Sequence, residues 1–156
     1  MYSISREKLI NLQPNVDPFL FIGEIVELKI GESVRAKWVL DPNYWFFKCH
    51  WPNNPNVPGV IQIEAVLQTS SLMFFADKKN TSEYIYITKI NYARFFKKVV
   101  PNDLLEIRCS TLKNRRGVAT VEGEITRSHE SILKINFDFA LSSNQEYVRI
   151  LNGDIQ

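Results

Sequence analysis

Residues 44–68 read YWFFKCHWPNNPNVPGVIQIEAVLQ, and the reading of this run decides the fold. It sets His50 in a loop flanked by aromatic residues, follows it with asparagine and proline turn residues, and opens an apolar helix at Pro58-Gly59. From 59 to 76 the helix is oily on nearly every face, the pattern of a helix at the centre of a fold rather than on its surface. Its only acid is Glu64, fourteen positions after His50. Burial disfavours the charged form of a carboxylate and raises its pKa, which keeps a proton available near neutral pH. An imidazole, a neutral acid and the unpaired amides of a helix N-terminus are the ingredients of an acid–base site.

On the N-terminal side of this run, Ser5 is positioned to cap a short helix over 6–12, closed by Pro14. Residues 20–28 and 33–40 read as strands joined at Lys29-Ile30-Gly31, a hairpin signal, and Asp41-Pro42-Asn43 ends the pair. Beyond the helix, Lys78-Lys79-Asn80 supplies a polar stop. Four more extended runs follow at 83–90, 104–112, 117–126 and 132–141, with a turn at Asn114-Arg115-Arg116. In the last run Leu133, Ile135, Phe137 and Phe139 alternate with Lys134, Asn136 and Asp138, which predicts one buried and one wetter sheet face. One buried helix amid about six antiparallel strands is an α+β arrangement, an antiparallel sheet wrapped around one long central helix.

Composition narrows the classes. The chain of 156 residues makes one domain with a substantial core and a more polar tail at 142–156. A net charge of +2 is too mild to imply nucleic-acid binding. The apolar helix is interrupted by Gln62, Glu64, Gln68 and Thr69-Ser70-Ser71, so no membrane span is expected. Residues 1–17 contain no continuous apolar run of the secretory kind, and the expected compartment is the cytoplasm. Cys49 and Cys109 therefore read as free thiols, and with His50 and His129 they have no zinc-ligand spacing. His129, in the polar run Arg127-Ser128-His129-Glu130, reads as a surface residue.

The central run carries a family resemblance. His50-Trp51-Pro52, Pro55, Pro58-Gly59-Val60, Glu64-Ala65 and Gln68 together resemble the active-site signature of the (3R)-hydroxyacyl-acyl-carrier-protein dehydratases, which have the hotdog fold. Asp17-Pro18-Phe19-Leu20 is similar to that family's N-terminal Pro-Phe-Leu element. Ala93-Arg94-Phe95 and Val99-Val100-Pro101-Asn102-Asp103 resemble its segment ending in Pro-Gly-Asp. The bounds of the core, about 14–141, are those of this resemblance. The resemblance implies a hotdog homodimer, or a trimer of such dimers, in which two sheets join edge to edge and each site takes His50 and Glu64 from opposite protomers. It implies dehydration of a 3-hydroxyacyl thioester, with His50 as base toward the C2 proton, the Gly59 amide at the thioester carbonyl and Glu64 as proton donor to the leaving hydroxyl. Gln68, one helical turn beyond Glu64, is placed to orient it. No metal or organic cofactor is expected, because the substrate arrives on the phosphopantetheine arm of acyl carrier protein.

Phe95 and Phe96 are candidates for the acyl tunnel, and Arg94, Lys97 and Lys98 for docking the acidic carrier. Further basic residues cluster at Lys113 and Arg115-Arg116. Most other phenylalanines, including Phe46, Phe47, Phe74 and Phe75, read as core. Several positions depart from the family pattern: Cys49 stands where glycine is usual, Trp51 replaces phenylalanine, and Asn53 and Asn54 replace a glycine-containing pair. Asn56 takes an apolar position, and Asn102 takes that of a glycine. These departures suit a specialised relative acting on another carrier-bound chain. Two other readings remain open at this point: a hotdog thioesterase, and a non-catalytic acyl-binding or assembly subunit.

Overall fold

Among the described residues there are six strands, most of them built on alternating apolar residues, and the unbroken apolar run builds the helix they enclose. In chain order these are α1 (Arg6–Leu9), β1 (Glu24–Lys29), β2 (Ser33–Val39), a 3-10 turn (Trp45–Lys48), α2 (Gly59–Phe75), β3 (Ile85–Phe95), β4 (Leu104–Arg115), β5 (Val118–Arg127) and β6 (Glu130–Leu141). The structure, a computed structural model, describes residues 3–75 and 84–141. The expected stop at Lys78-Lys79-Asn80 and the tail 142–156 lie outside the described residues.

The strands form one antiparallel sheet in the order β1-β2-β4-β5-β6-β3. Its inner face presents Ala36 and Trp38 of β2, Leu105 and Ile107 of β4, Val121 and Ile125 of β5, and Leu133, Ile135, Phe137 and Phe139 of β6, all essentially inaccessible to solvent. The α2 side chains Ala65, Val66, Leu72 and Met73 are buried in the same core. Helix and sheet approach closely at Gly123, where an added Cβ would lie 2.4 Å from Val66 Cγ1. Burying Thr69, Ser70 and Ser71 inside α2 is tolerable because each hydroxyl donates back to a helix carbonyl, those of Ala65, Leu67 and Gln68 respectively.

Three local expectations are corrected. The first helix stops at Leu9 instead of Leu12, and the Ser5 hydroxyl makes no cap; the Ser5 carbonyl accepts the Lys8 and Leu9 amides instead. The β4–β5 turn falls on Arg116-Gly117, both with positive φ, one step beyond the predicted turn. The third strand continues past 90 to Phe95. It is an edge strand whose residues are nearly all half-buried or exposed, so its C-terminal half carries no period-two signal to read.

Candidate active site

The loop that carries His50 is built by the 3-10 turn. Phe46 and Phe47 are buried and anchor it, and the Phe46 carbonyl accepts the His50 amide at 2.8 Å. The Asn56 amide donates to the His50 carbonyl at 3.0 Å, closing the loop on itself. The Val57 amide then bonds the Val99 carbonyl at 3.0 Å, fixing the loop beside the β3–β4 connection. His50 stacks on Trp51 with ring centroids 4.4 Å apart, across a cis peptide bond. Its Nδ1 lies 3.1 Å from the Asn56 carbonyl oxygen. A carbonyl can only accept, so the neutral ring carries its proton on Nδ1 and keeps the Nε2 lone pair for another proton.

Glu64 sits on α2 beside an open cavity of about 390 Å³ lined by Pro14, Asn15, Leu67, Gln68, Ser71, Phe75 and residues 84–87. Desolvation raises its pKa above the ordinary carboxylate value, and the Gln68 hydrogen bond opposes that rise in part. Gln68 Nε2 donates to Glu64 Oε1 at 2.9 Å and to the Phe19 carbonyl at 2.7 Å, while Gln68 Oε1 accepts the Phe21 amide at 3.0 Å. The amide of Gln68 is thus held in one orientation. Asn15 Nδ2 approaches the same Glu64 oxygen at 3.4 Å. Sequence reading missed Asn15, since no local pattern tells a loop asparagine that it faces a helix forty-nine positions on.

Gly59 is the first residue of α2, where an α-helix offers no carbonyl to its leading amides. The Phe95 ring covers it so closely that a Cβ at Gly59 would lie 3.0 Å from Phe95 Cζ. Phe95 therefore packs on the helix start, and Phe96 lies under the Arg94 guanidinium at 5.0 Å. His50 is not among the described residues that line the Glu64 cavity.

The three basic docking candidates all have partners in the chain. Lys98 bonds the Asn54 side chain, Lys97 pairs with Glu130 at 3.5 Å, and Arg94 lies over Phe96. Among the asparagine departures, Asn102 adopts φ +70, the left-handed conformation that glycine usually supplies. Neither Asn53 nor Asn54 has a positive φ. Cys49 and Cys109 are both free thiols; Cys49 is exposed, and burial pushes the Cys109 thiol pKa up. His129 is exposed in the β5–β6 turn with φ +69.

A hollow of about 470 Å³ on the wetter sheet face, lined by residues such as Arg35, Arg108, Glu124 and Lys134, is larger. Its charges are already paired, Arg35 with Glu27 and Glu106, Lys134 with Glu124, and it adjoins neither His50 nor Glu64. The Glu64 cavity, where a desolvated acid meets a preset amide, is the better candidate. Among the described residues no cluster of His, Cys, Asp or Glu could hold a metal ion, and no helix is long and apolar enough to cross a membrane.

A sheet curled around one central helix, with a histidine loop before that helix and an acid within it, defines an α+β protein of the hotdog class. The dehydratase heterocomplex ApeI:P of Xenorhabdus doucetiae has the same fold, with a TM-score of 0.74 at 12% identity over 92% of this chain and 97% of that one. The model of the FabA-like domain matches residues 13–136, and the chain belongs to that family. It is 35% identical over 129 residues to the 3-hydroxyacyl-[acyl-carrier-protein] dehydratase FabZ of Polynucleobacter necessarius, spanning 79% of this chain and 87% of the relative. To the FabZ dehydratase of Lactiplantibacillus plantarum it is 34% identical over 121 residues, 78% of this chain and 82% of the relative.

Proposed function

We propose that the protein dehydrates (3R)-3-hydroxyacyl thioesters carried on acyl carrier protein to trans-2-enoyl thioesters, in fatty-acid synthesis or a related lipid or polyketide route. The observation that carries this reading is an acid on α2 whose burial favours its protonated form, with an imidazole that keeps a free Nε2 lone pair on the loop before that helix, on a chain of the FabA-like family. His50 Nε2 takes the C2 proton while the Gly59 amide, at the positive end of α2, stabilises charge developing on the thioester oxygen. Glu64 gives its proton to the departing C3 hydroxyl, so the C2–C3 double bond forms and one water leaves. Gln68 holds Glu64 in place. The chemistry as drawn needs no further group besides the phosphopantetheine arm that brings the substrate, and a cytoplasmic setting suits it.

His50 is not among the described residues lining the Glu64 cavity, which supports a site completed by a second protomer. The exposed edge strand β3 supports that assembly: Tyr86, Ile87, Ile90, Tyr92 and Phe95 are all more than a third accessible on an edge that no described strand pairs with. Pairing of two β3 edges gives a homodimer, which can group further into a trimer of dimers. Phe95 and Phe96 then flank the acyl path. Arg94, Lys97 and Lys98 meet the acidic carrier, whose carboxylates must displace their present partners.

Purified protein incubated with a 3-hydroxyacyl or trans-2-enoyl thioester tests the reading. Reversible change of enoyl absorbance, abolished by His50→Ala and by Glu64→Gln, is the expected result. Release of free thiol would replace it with a thioesterase, and tight binding without turnover with an acyl-binding subunit.

A further inference from the structure

The N-terminal loop does more than close the fold. Arg6 Nη1 donates to the Ile22 carbonyl at 2.7 Å, and Nη2 donates to the Leu20 carbonyl at 3.1 Å and pairs with Asp17 at 2.5 Å. The loop's Phe19 carbonyl and Phe21 amide are both bound to the Gln68 side chain. Loop position is therefore set by groups other than the Asn15 side chain, which is left to face Glu64.

We infer that Asn15 is a positioning residue for Glu64: with Gln68 it occupies one carboxyl oxygen, Oε1, and so assigns the transferable proton to Oε2. The inference rests on the dehydratase reading and adds to it. An oxygen that accepts two N–H donors has both lone pairs engaged, so a protonated carboxyl carries its hydrogen on the other oxygen. Gln68 cannot exchange roles, because turning its amide would set carbonyl against carbonyl at Phe19 and N–H against N–H at Phe21. The Asn15 contact is the longer of the two, so it trims the position of Glu64 where Gln68 fixes it. Among the described residues, the titratable groups lining the cavity beside Glu64 are Tyr84 and Tyr86; the described parts of α2 and of the N-terminal loop add none besides Glu64 itself. In the proposed dimer the partner subunit's His50 completes that set.

The test compares wild type, Asn15→Ala and Asn15→Asp, with Glu64→Gln used to assign the Glu64 carboxyl signal in a ¹³C-glutamate-labelled sample. Removing a donor to the charged form moves the Glu64 titration midpoint upward in Asn15→Ala, and a second carboxylate moves it further in Asn15→Asp. In the enoyl assay the alkaline limb of the kcat profile moves the same way. At neutral pH kcat falls about threefold in Asn15→Ala while KM changes little, as for a slightly misplaced acid. A midpoint unmoved or lowered in Asn15→Ala, or an unchanged kcat, overturns the inference. Wild-type turnover in Glu64→Gln would instead overturn the dehydratase reading, and the titration would still decide the role of Asn15.

Discussion

Replacing Gln68 with methionine keeps the length, linearity and helix propensity of the side chain but removes every hydrogen bond it makes. The residue is 2% exposed and bonded to the Phe21 amide, the Phe19 carbonyl and Glu64. Phe21 is wholly buried, so its amide loses its partner with no water to replace it, at a cost of about 1–3 kcal/mol. Phe19 is 44% exposed and its carbonyl can recruit water, so its loss is nearer ~1 kcal/mol. The expected total is about 2–4 kcal/mol, a large fraction of the ~5–15 kcal/mol that holds a domain folded. Urea unfolding followed by tryptophan fluorescence suits the measurement, because buried Trp38 lies 5.8 Å from the Phe21 ring. The midpoint should fall with the slope unchanged. A loss below about 0.5 kcal/mol at constant slope, less than one ordinary hydrogen bond, would show that the Gln68 network does not hold the loop.

The remaining expectations concern other parts of the molecule. Gly123→Ala sets a methyl group against Val66 Cγ1, with α2 unable to retreat from the sheet, and should destabilise by about 1–3 kcal/mol in the same unfolding assay. The raised pKa of Glu64 makes a stability contribution that is present below the unfolded glutamate pKa and lost as pH rises through the folded value. Glu64→Gln should therefore gain stability over wild type toward alkaline pH and lose that advantage toward pH 4, read from melting temperatures across the range. Ile87→Asp with Ile90→Lys puts charge on the exposed β3 edge and should shift the protein to monomer in sedimentation, with turnover lost alongside.

The central helix, the sheet around it and the candidate acid Glu64 were legible because burial imposes strong patterns on sequence, whereas His50 stood out as a candidate through the family resemblance of its run. An acid in a helix of Ile61, Ala65, Val66 and Leu72 is conspicuous. So is the alternation of Leu133 through Phe139. Where burial is absent, the pattern fades. The second half of β3, Asn91-Tyr92-Ala93-Arg94-Phe95, lies exposed on an edge and reads as nothing regular. Contacts between distant segments leave no trace of spacing either. Gly123 looks like a weak point in β5 until Val66 is seen pressing on it, and Asn15 gains its meaning only from Glu64. The Ser5 cap failed for a related reason: a capping residue type was present, but its hydroxyl makes no cap and the helix runs only four residues.

The most direct test of a site shared between protomers is complementation. His50→Ala and Glu64→Gln, each inactive alone, are mixed, dissociated and reassembled, and enoyl formation is measured. Random pairing makes half the dimers mixed, each with one intact site of two, so about a quarter of wild-type turnover should return. Reassembled mixtures that stay as inactive as their parents would contradict a histidine and a glutamate meeting across the subunit boundary.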